Sequence, residues 1–350
     1  MSALGFNLKK SARKLAIDIG SNNTVIFDNG KVVLDEPSII STNIKTGEII
    51  VGSEALSMEG RSPLGISTIK PIKSGIIADY YAARQMMSAF LQKAIQRENF
   101  TSFRLHKVIV GVPHWAMELE KRAILDSLRY SGARDIYLIE QTLATALGLG
   151  IDISAPKANM LVDIGGGITE ISVIGGGRII DSSITHAAGN EVDADIILYL
   201  KERHGIDIGR ASAEEVKINV GSALSSLPEN QAPGAYLTKG RESAAGIPAE
   251  AYITYPEIAD CIDNTISQIE IEIFNVLRRI PFELYSDIEK NGIWLTGGGS
   301  LLRGIAQRFS EKIGIEFHVV EDPLKAVARG SCHADLKSPS MFLRMVSPKT

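Results

Sequence analysis

The sequence is poor in the residues that build metal centres and covalent frameworks. Its 350 residues include only two cysteines, Cys261 and Cys332, which form no CxxC pair, and six histidines without HExxH or related spacing. Structural zinc and a disulfide scaffold are therefore not expected. An excess of charge is lacking too. With a formal net charge of -4 there is no global basic field, and no nucleic-acid partner is expected. No apolar run reaches the ~20 residues that span a bilayer, and the N-terminus has no uninterrupted apolar core of a secretory signal. A cytoplasmic protein is the expectation. The two commonest nucleotide fingerprints are also missing: no GxxxxGK followed by Ser or Thr occurs, and no GxGxxG opens a helix after a strand.

What is present is an ordinary folded composition, 45% hydrophobic and 22% charged, on a length that suggests about two domains. Apolar runs at residues 15–19, 24–27 and 31–34, separated by Gly20-Ser21-Asn22-Asn23 and Asp28-Asn29-Gly30, predict a three-stranded meander. Residues 160–164, 169–174 and 178–184, separated by two Gly-Gly-Gly turns, repeat the plan. The first half continues with a predicted helix (79–96), strand (107–112), helix (117–131) and strand (135–139). The second continues with one long helix (256–280), strand (292–296), helix (301–312) and strand (316–320). In the long helix, apolar residues from Ile258 to Ile280 recur at three- and four-residue steps, the mark of a face packed on a sheet. Two copies of one α/β unit explain the chain. The segments at about 35–78 and 186–254 are too long to be simple connections and are expected to be inserted subdomains.

Each copy ends its first strand in Asp-Ile-Gly, at Asp18 and at Asp163, 145 positions apart. A strand ending in Asp before a glycine-rich or small-residue turn offers two things that phosphate chemistry needs. The turn presents backbone N–H groups to phosphate oxygens, and the carboxylate orients water around a magnesium ion. One such motif is ordinary turn chemistry; two in matching contexts suggest a grip from both sides of a cleft. A third cluster, Gly297-Gly298-Gly299, follows an apolar strand. It would let a base or ribose approach the backbone, or it is a tight strand-to-helix turn.

These residues carry a family resemblance. IDIGSNNT (17–24), VDIGGGITE (162–170), TGGGSLLRG (296–304) and EDPLKAVARG (321–330) resemble the two phosphate loops, the adenosine loop and the C-terminal signature of the MreB family of bacterial actins. DEPSII (35–40), RSPLGISTIKPIKSGIIAD (61–79) and AEEVKINVGSA (213–223) look like that family too. The resemblance implies an α/β actin-like fold of duplicated ribonuclease-H-like units: two lobes, four subdomains and a central nucleotide cleft. Residues 14–152 with 321–350 would form lobe I and 153–320 lobe II. It also implies an ATPase whose ATP-bound monomers form double filaments on the inner face of the cytoplasmic membrane. Its partners would be further copies, that membrane surface, and cell-shape and wall-synthesis membrane proteins.

By motif, Gly20, Ser21, Asn22 and Asn23 would contact the phosphates of ATP or ADP, with Gly165, Gly166 and Gly167 as the second phosphate loop. Asp18 and Asp163 would hold hydrated Mg2+. Glu214 and Lys217, three residues apart on one helix face, match positions that touch ribose and base, a solvated ion pair being the plainer reading. Gly297, Gly298 and Gly299 would close over the adenosine. Gln141 and Thr169 complete the expected catalytic set.

Two departures stand out. Where the family usually has Glu-Pro, this chain has Gln141-Thr142. A carboxamide can orient water but cannot act as a base; a shifted register would make Glu140 the active residue instead. Where the family commonly reads GGGTT, Ile168 follows Gly167, replacing a hydroxyl by hydrocarbon. Slow hydrolysis is the expectation. A nucleotide-binding scaffold and a small-molecule kinase of the same fold are the alternatives. The N-terminal segment has Lys9, Lys10, Arg13 and Lys14 with Leu4, Leu8, Ala12 and Leu15 at helical spacing, which reads as a membrane-binding amphipathic helix or as a tail; an apolar loop around Phe100 and Phe103 is the other membrane candidate.

Overall fold

The computed structural model describes residues 14–97, 107–133 and 135–334. The expected N-terminal helix (1–13), the loop around Phe100 and Phe103, and the tail beyond 334 lie outside them.

The first half forms β1 (Lys14–Ile19), β2 (Asn23–Asp28), β3 (Lys31–Pro37), β4 (Ile40–Asn43), β5 (Ile49–Val51), α1 (Ser53–Ser57), β6 (Ile66–Ile69), β7 (Ile72–Lys73), β8 (Ile76–Ile77), α2 (Tyr80–Arg97), β9 (Lys107–Val112), α3 (Glu118–Tyr130), β10 (Asp135–Glu140) and α4 (Gln141–Gly148). The second forms β11 (Asn159–Ile164), β12 (Thr169–Gly175), β13 (Arg178–Thr185), α5 (Gly189–His204), β14 (Ile206–Asp207), α6 (Arg210–Val220), β15 (Tyr236–Glu242), β16 (Pro248–Ile253), α7 (Tyr255–Cys261), α8 (Asp263–Arg279), α9 (Phe282–Asn291), β17 (Ile293–Thr296), α10 (Ile305–Ile313) and β18 (Phe317–Val319), and α11 (Ala326–His333) follows.

The repeat is a repeat of topology. One five-stranded sheet runs β10-β9-β1-β2-β3 and the other β18-β17-β11-β12-β13. In both, the first three strands pair antiparallel and the last two join parallel. Even the irregularity is copied, with a register shift at Ile26/Phe27 in one sheet and at Val173/Ile174 in the other. Strands between neighbours are apolar on both faces, as Leu15, Ala16 and Ile17 on β1 show, because helices cover both sides. Small three-stranded sheets, β5-β4-β6 and β14-β15-β16, fill the two long insertions.

Helix α11 packs on α4, β1 and β9, and Lys14 Nζ donates to the carbonyls of Cys332 and Ala334. Gly330 is required there, because a Cβ would run into the Ala144 carbonyl. One expectation needs correction: the long helix is two, α7 and α8, meeting at Ile262, whose ψ of 0° departs from helical values. The apolar face survives, since Ile258, Ile262, Ile266, Ile269, Ile273 and Val276 are all buried. The helix expected at 301–312 starts at Ile305, after a short 3-10 turn over Gly298–Leu301.

Candidate functional site: two aspartate hairpins

The turn of each hairpin is closed by the same bond. Gly20 N–H donates to Asn23 O at 2.9 Å, and Gly165 N–H donates to Ile168 O at 2.9 Å. Asp18 and Asp163 therefore end equivalent strands, one residue pair before the turn.

The turns meet. A Cβ on Gly166 would collide with the Asn22 amide, and one on Gly167 would lie 3.1 Å from Ser21 Oγ and 2.9 Å from Ser74 N. Asn22 Nδ2 donates to Asn190 Oδ1 at 3.3 Å, while Gly189 N–H and Asn190 N–H, opening α5, donate to the carbonyls of Gly165 and Gly166. Glycine is needed at 167, where the Ser74 backbone occupies the space, and a side chain at 166 would displace the Asn22 amide.

The carboxylates share one electrostatic environment. Burial, first, and then the Asp18 and Glu170 charges push Asp163 up to about 7. Burial pushes Asp18 up to about 7, against a lowering hydrogen bond from Gln141, whose Nε2 donates to Asp18 Oδ1 at 3.2 Å. Both keep an edge accessible to solvent. Two carboxylates that both resist ionisation are a site for positive charge. Among the described residues no group of three or more metal-ligating side chains occurs. Two carboxylates are a donor set of the kind magnesium takes, with waters and phosphate oxygens completing its shell.

Lys217 Nζ reaches Gly189 O at 3.1 Å and Asp193 Oδ1 at 2.7 Å. The plainer reading of Glu214 and Lys217 as a pair on α6 is thus corrected: Lys217 is drawn to α5, beside the second loop, and Glu214 sits half-buried one turn away. Asn23 turns its side chain to Asp35 on β3, leaving its backbone to the turn. Gly297, at φ 78°, and Gly299 have no room for a Cβ against Asp163 and Ile164. The third glycine cluster is therefore the tight turn that packs on the end of β11, with Gly298 alone exposed.

Thr169 does not belong with the others. It is fully buried, and its hydroxyl donates to Ala187 O at 2.6 Å. Thr24, its counterpart in the first hairpin, is equally buried and bonded to Ser38. Both threonines fasten the hairpin base, which is why the expected catalytic role finds no free hydroxyl here. Glu140, the shifted-register alternative, has its carboxylate 2.8 Å from His114 Nδ1, whereas Gln141 reaches Asp18. Motif reading missed Ser74, Gly75 and Asn190. Ser74 has a left-handed φ of 50°, and Gly75 N–H donates to Ser21 Oγ at 2.8 Å, so the β7–β8 turn sits against both loops. The Ser-Gly pair between short apolar runs was the available signal.

Duplicated sheets with paired aspartate hairpins define the actin-like fold class, and the comparisons give the family. The profile described as MreB/Mbl protein matches residues 12–341. The chain is 36% identical over 326 residues to the cell shape-determining protein MreB of Escherichia coli (strain K12), covering 90% of this chain and 91% of that one. It is 34% identical over 322 residues to the cell shape-determining protein Mbl of Bacillus subtilis (strain 168), covering 91% and 95%. Among solved structures, MreB5 of Spiroplasma citri bound to AMPPNP is similar at a TM-score of 0.85 and 31% identity, over 92% of this chain and 95% of that one. A MamK double helical filament shares the fold at a TM-score of 0.74 and 21% identity, over 91% and 97%. The chain belongs to the MreB/Mbl family.

Proposed function

We propose that the two hairpins clamp one ATP or ADP with Mg2+, that ATP-loaded chains assemble into double filaments, and that hydrolysis is slow. The observation that carries the reading is the meeting of the Asp18 and Asp163 hairpins, turn against turn, with neither carboxylate paired to a cation among the described residues. The Spiroplasma citri relative, solved with AMPPNP and with ADP, and the MamK filament support it.

In this reading Gly20, Ser21, Asn22, Gly165, Gly166 and Gly167 present the loops to phosphate oxygens, and Lys217 adds a positive charge beside the second loop. Asp18 and Asp163 would hold the hydrated magnesium. The bound magnesium would supply charge neutralisation of the phosphates. Gln141, held by Asp18, orients the attacking water through its amide oxygen without taking its proton. Ile168 offers no hydroxyl to that water. A missing hydrogen bond of this kind is worth about 1–3 kcal/mol, about 10- to 100-fold in rate where the bond forms only in the transition state. Glu214 and Gly298 face the nucleoside, and lobes at 14–152 with 321 onward and at 153–320 flank the cleft.

Membership of a family of cell shape-determining proteins supports the further reading of a cytoplasmic, membrane-associated filament that acts with wall-synthesis proteins, with residues 1–13 as the proposed lipid contact. Electron microscopy and light scattering with ATP and magnesium test assembly; no filaments would overturn it. Phosphate release at the rate of ordinary family members would overturn slow hydrolysis, and none at all would favour a nucleotide-binding scaffold, the reading that Gln141 and Ile168 keep in play. Deleting residues 1–13 should abolish liposome co-sedimentation.

A further inference from the structure

The residue facing Asp163 across its hairpin is Glu170, whereas Asp18 faces Val25. Glu170 is 5% exposed. A buried carboxylate with no cation against it is costly, so its partners matter. Thr142 Oγ1 lies 2.7 Å from Glu170 Oε1, and Ser172 Oγ lies 3.1 Å from the same oxygen. Thr142 and Ser172 are 8% and 1% exposed. Thr142 belongs to the first turn of α4, next to Gln141, and the N-terminal turn of a helix favours a negative charge beside it. The start of α4 thus holds both hairpins: Gln141 donates to Asp18 on β1, and Thr142 donates to Glu170 on β12. Proline, the residue expected by motif at 142, would also suit the first turn of a helix, but it has no hydroxyl to give.

We infer that Thr142 is a positioning residue: by clipping the start of α4 to Glu170 of the second hairpin, it fixes the Gln141 amide relative to both aspartates. The inference deepens the ATPase reading and rests on it. A glutamine cannot compensate for poor placement by taking a proton, so its contribution depends on being held still. The clip ties α4 to the second half, whereas the Gln141 side chain is hydrogen-bonded to the first.

The test compares Thr142→Val, which keeps the shape and removes the hydroxyl, with Thr142→Ser, which restores it. The readouts are single-turnover phosphate release from bound Mg-ATP, the Mg-AMPPNP dissociation constant, and amide hydrogen exchange over residues 143–147. For Thr142→Val we expect phosphate release about tenfold slower, ~1.4 kcal/mol, with AMPPNP affinity within about twofold and faster exchange in α4. Thr142→Ser should recover the rate. An unchanged rate with loosened α4, or affinity and rate falling together without rescue by Ser, would overturn the positioning role. Should the unmodified chain bind AMPPNP and release no phosphate, the ATPase reading fails; the clip is then judged by exchange alone, and unchanged exchange in Thr142→Val overturns it.

Discussion

The two hairpins share a register and a closing hydrogen bond, yet they are furnished in opposite ways. The first turn carries side chains: Ser21 accepts from Gly75 N–H, and Asn22 reaches Asn190. The second carries none at 165, 166 and 167: Asn22 fills the space beside Gly166, Ser21 and Ser74 fill it beside Gly167, and Gly165 lies against the Ile168 carbonyl of its own turn. Asp18 has a donor, Gln141; Asp163 has no hydrogen-bond or ion-pair partner among the described residues and two like charges near it. One hairpin reaches and the other yields room, so a duplicated unit becomes an asymmetric clamp. Burial pushes both carboxylates up to about 7, but only Asp163 is pushed further by neighbouring charges while only Asp18 has a hydrogen bond acting against the rise.

The largest effect that would break this comparison is on stability without nucleotide. An unfolded Asp titrates near 4, and both site aspartates titrate at about 7 in the fold. The folded chain therefore binds more protons between these values. The contribution of this pair to stability should be greatest below about 4, fall as pH rises to about 7, and level off above. At pH 8 in chelator, Asp163→Asn should raise stability by on the order of 2–4 kcal/mol, and Asp18→Asn by less, since it also disturbs the Gln141 bond. Urea melts across pH check this, and a loss of stability in Asp163→Asn would contradict it. Next in size, Gly297→Ala combines a left-handed backbone with a collision against Asp163 and should cost about 2–4 kcal/mol. Gly298→Ala, on the exposed middle residue of that turn, should cost under about 1 kcal/mol. Thermal melts of the pair tell them apart, and equal costs would remove the packing account of the third glycine cluster. Ser21→Ala, which removes the bond to Gly75, should likewise have a small effect, costing about 1 kcal/mol; it should also raise hydrogen exchange at Gly75.

Much of the fold was legible because hydrophobic periodicity and glycine turns are local signals. The repeat of strand, turn and strand at 15–34 and 160–184 gave the duplicated sheets, and Asp18 and Asp163 announced themselves by position. What stayed hidden depended on contacts distant in sequence. The division of the long helix at Ile262 leaves its apolar spacing intact, so periodicity could not reveal it. Thr169 looks like a free hydroxyl in sequence, and only the Ala187 carbonyl, brought close by the fold, consumes it. Lys217 finds Asp193 on a neighbouring helix rather than Glu214 on its own. Glu170 and Thr142 are 28 residues apart, and nothing local marks them as partners.

The central claim is that both halves grip one magnesium nucleotide. Mg-AMPPNP affinity of the unmodified chain, Asp18→Asn, Asp163→Asn and the double variant, measured by calorimetry with and without magnesium, tests it most directly. Each single change should weaken magnesium-dependent binding by at least about tenfold, and the double change should cost less than the two added together, because they share one ion. Full affinity in either single variant would contradict the claim.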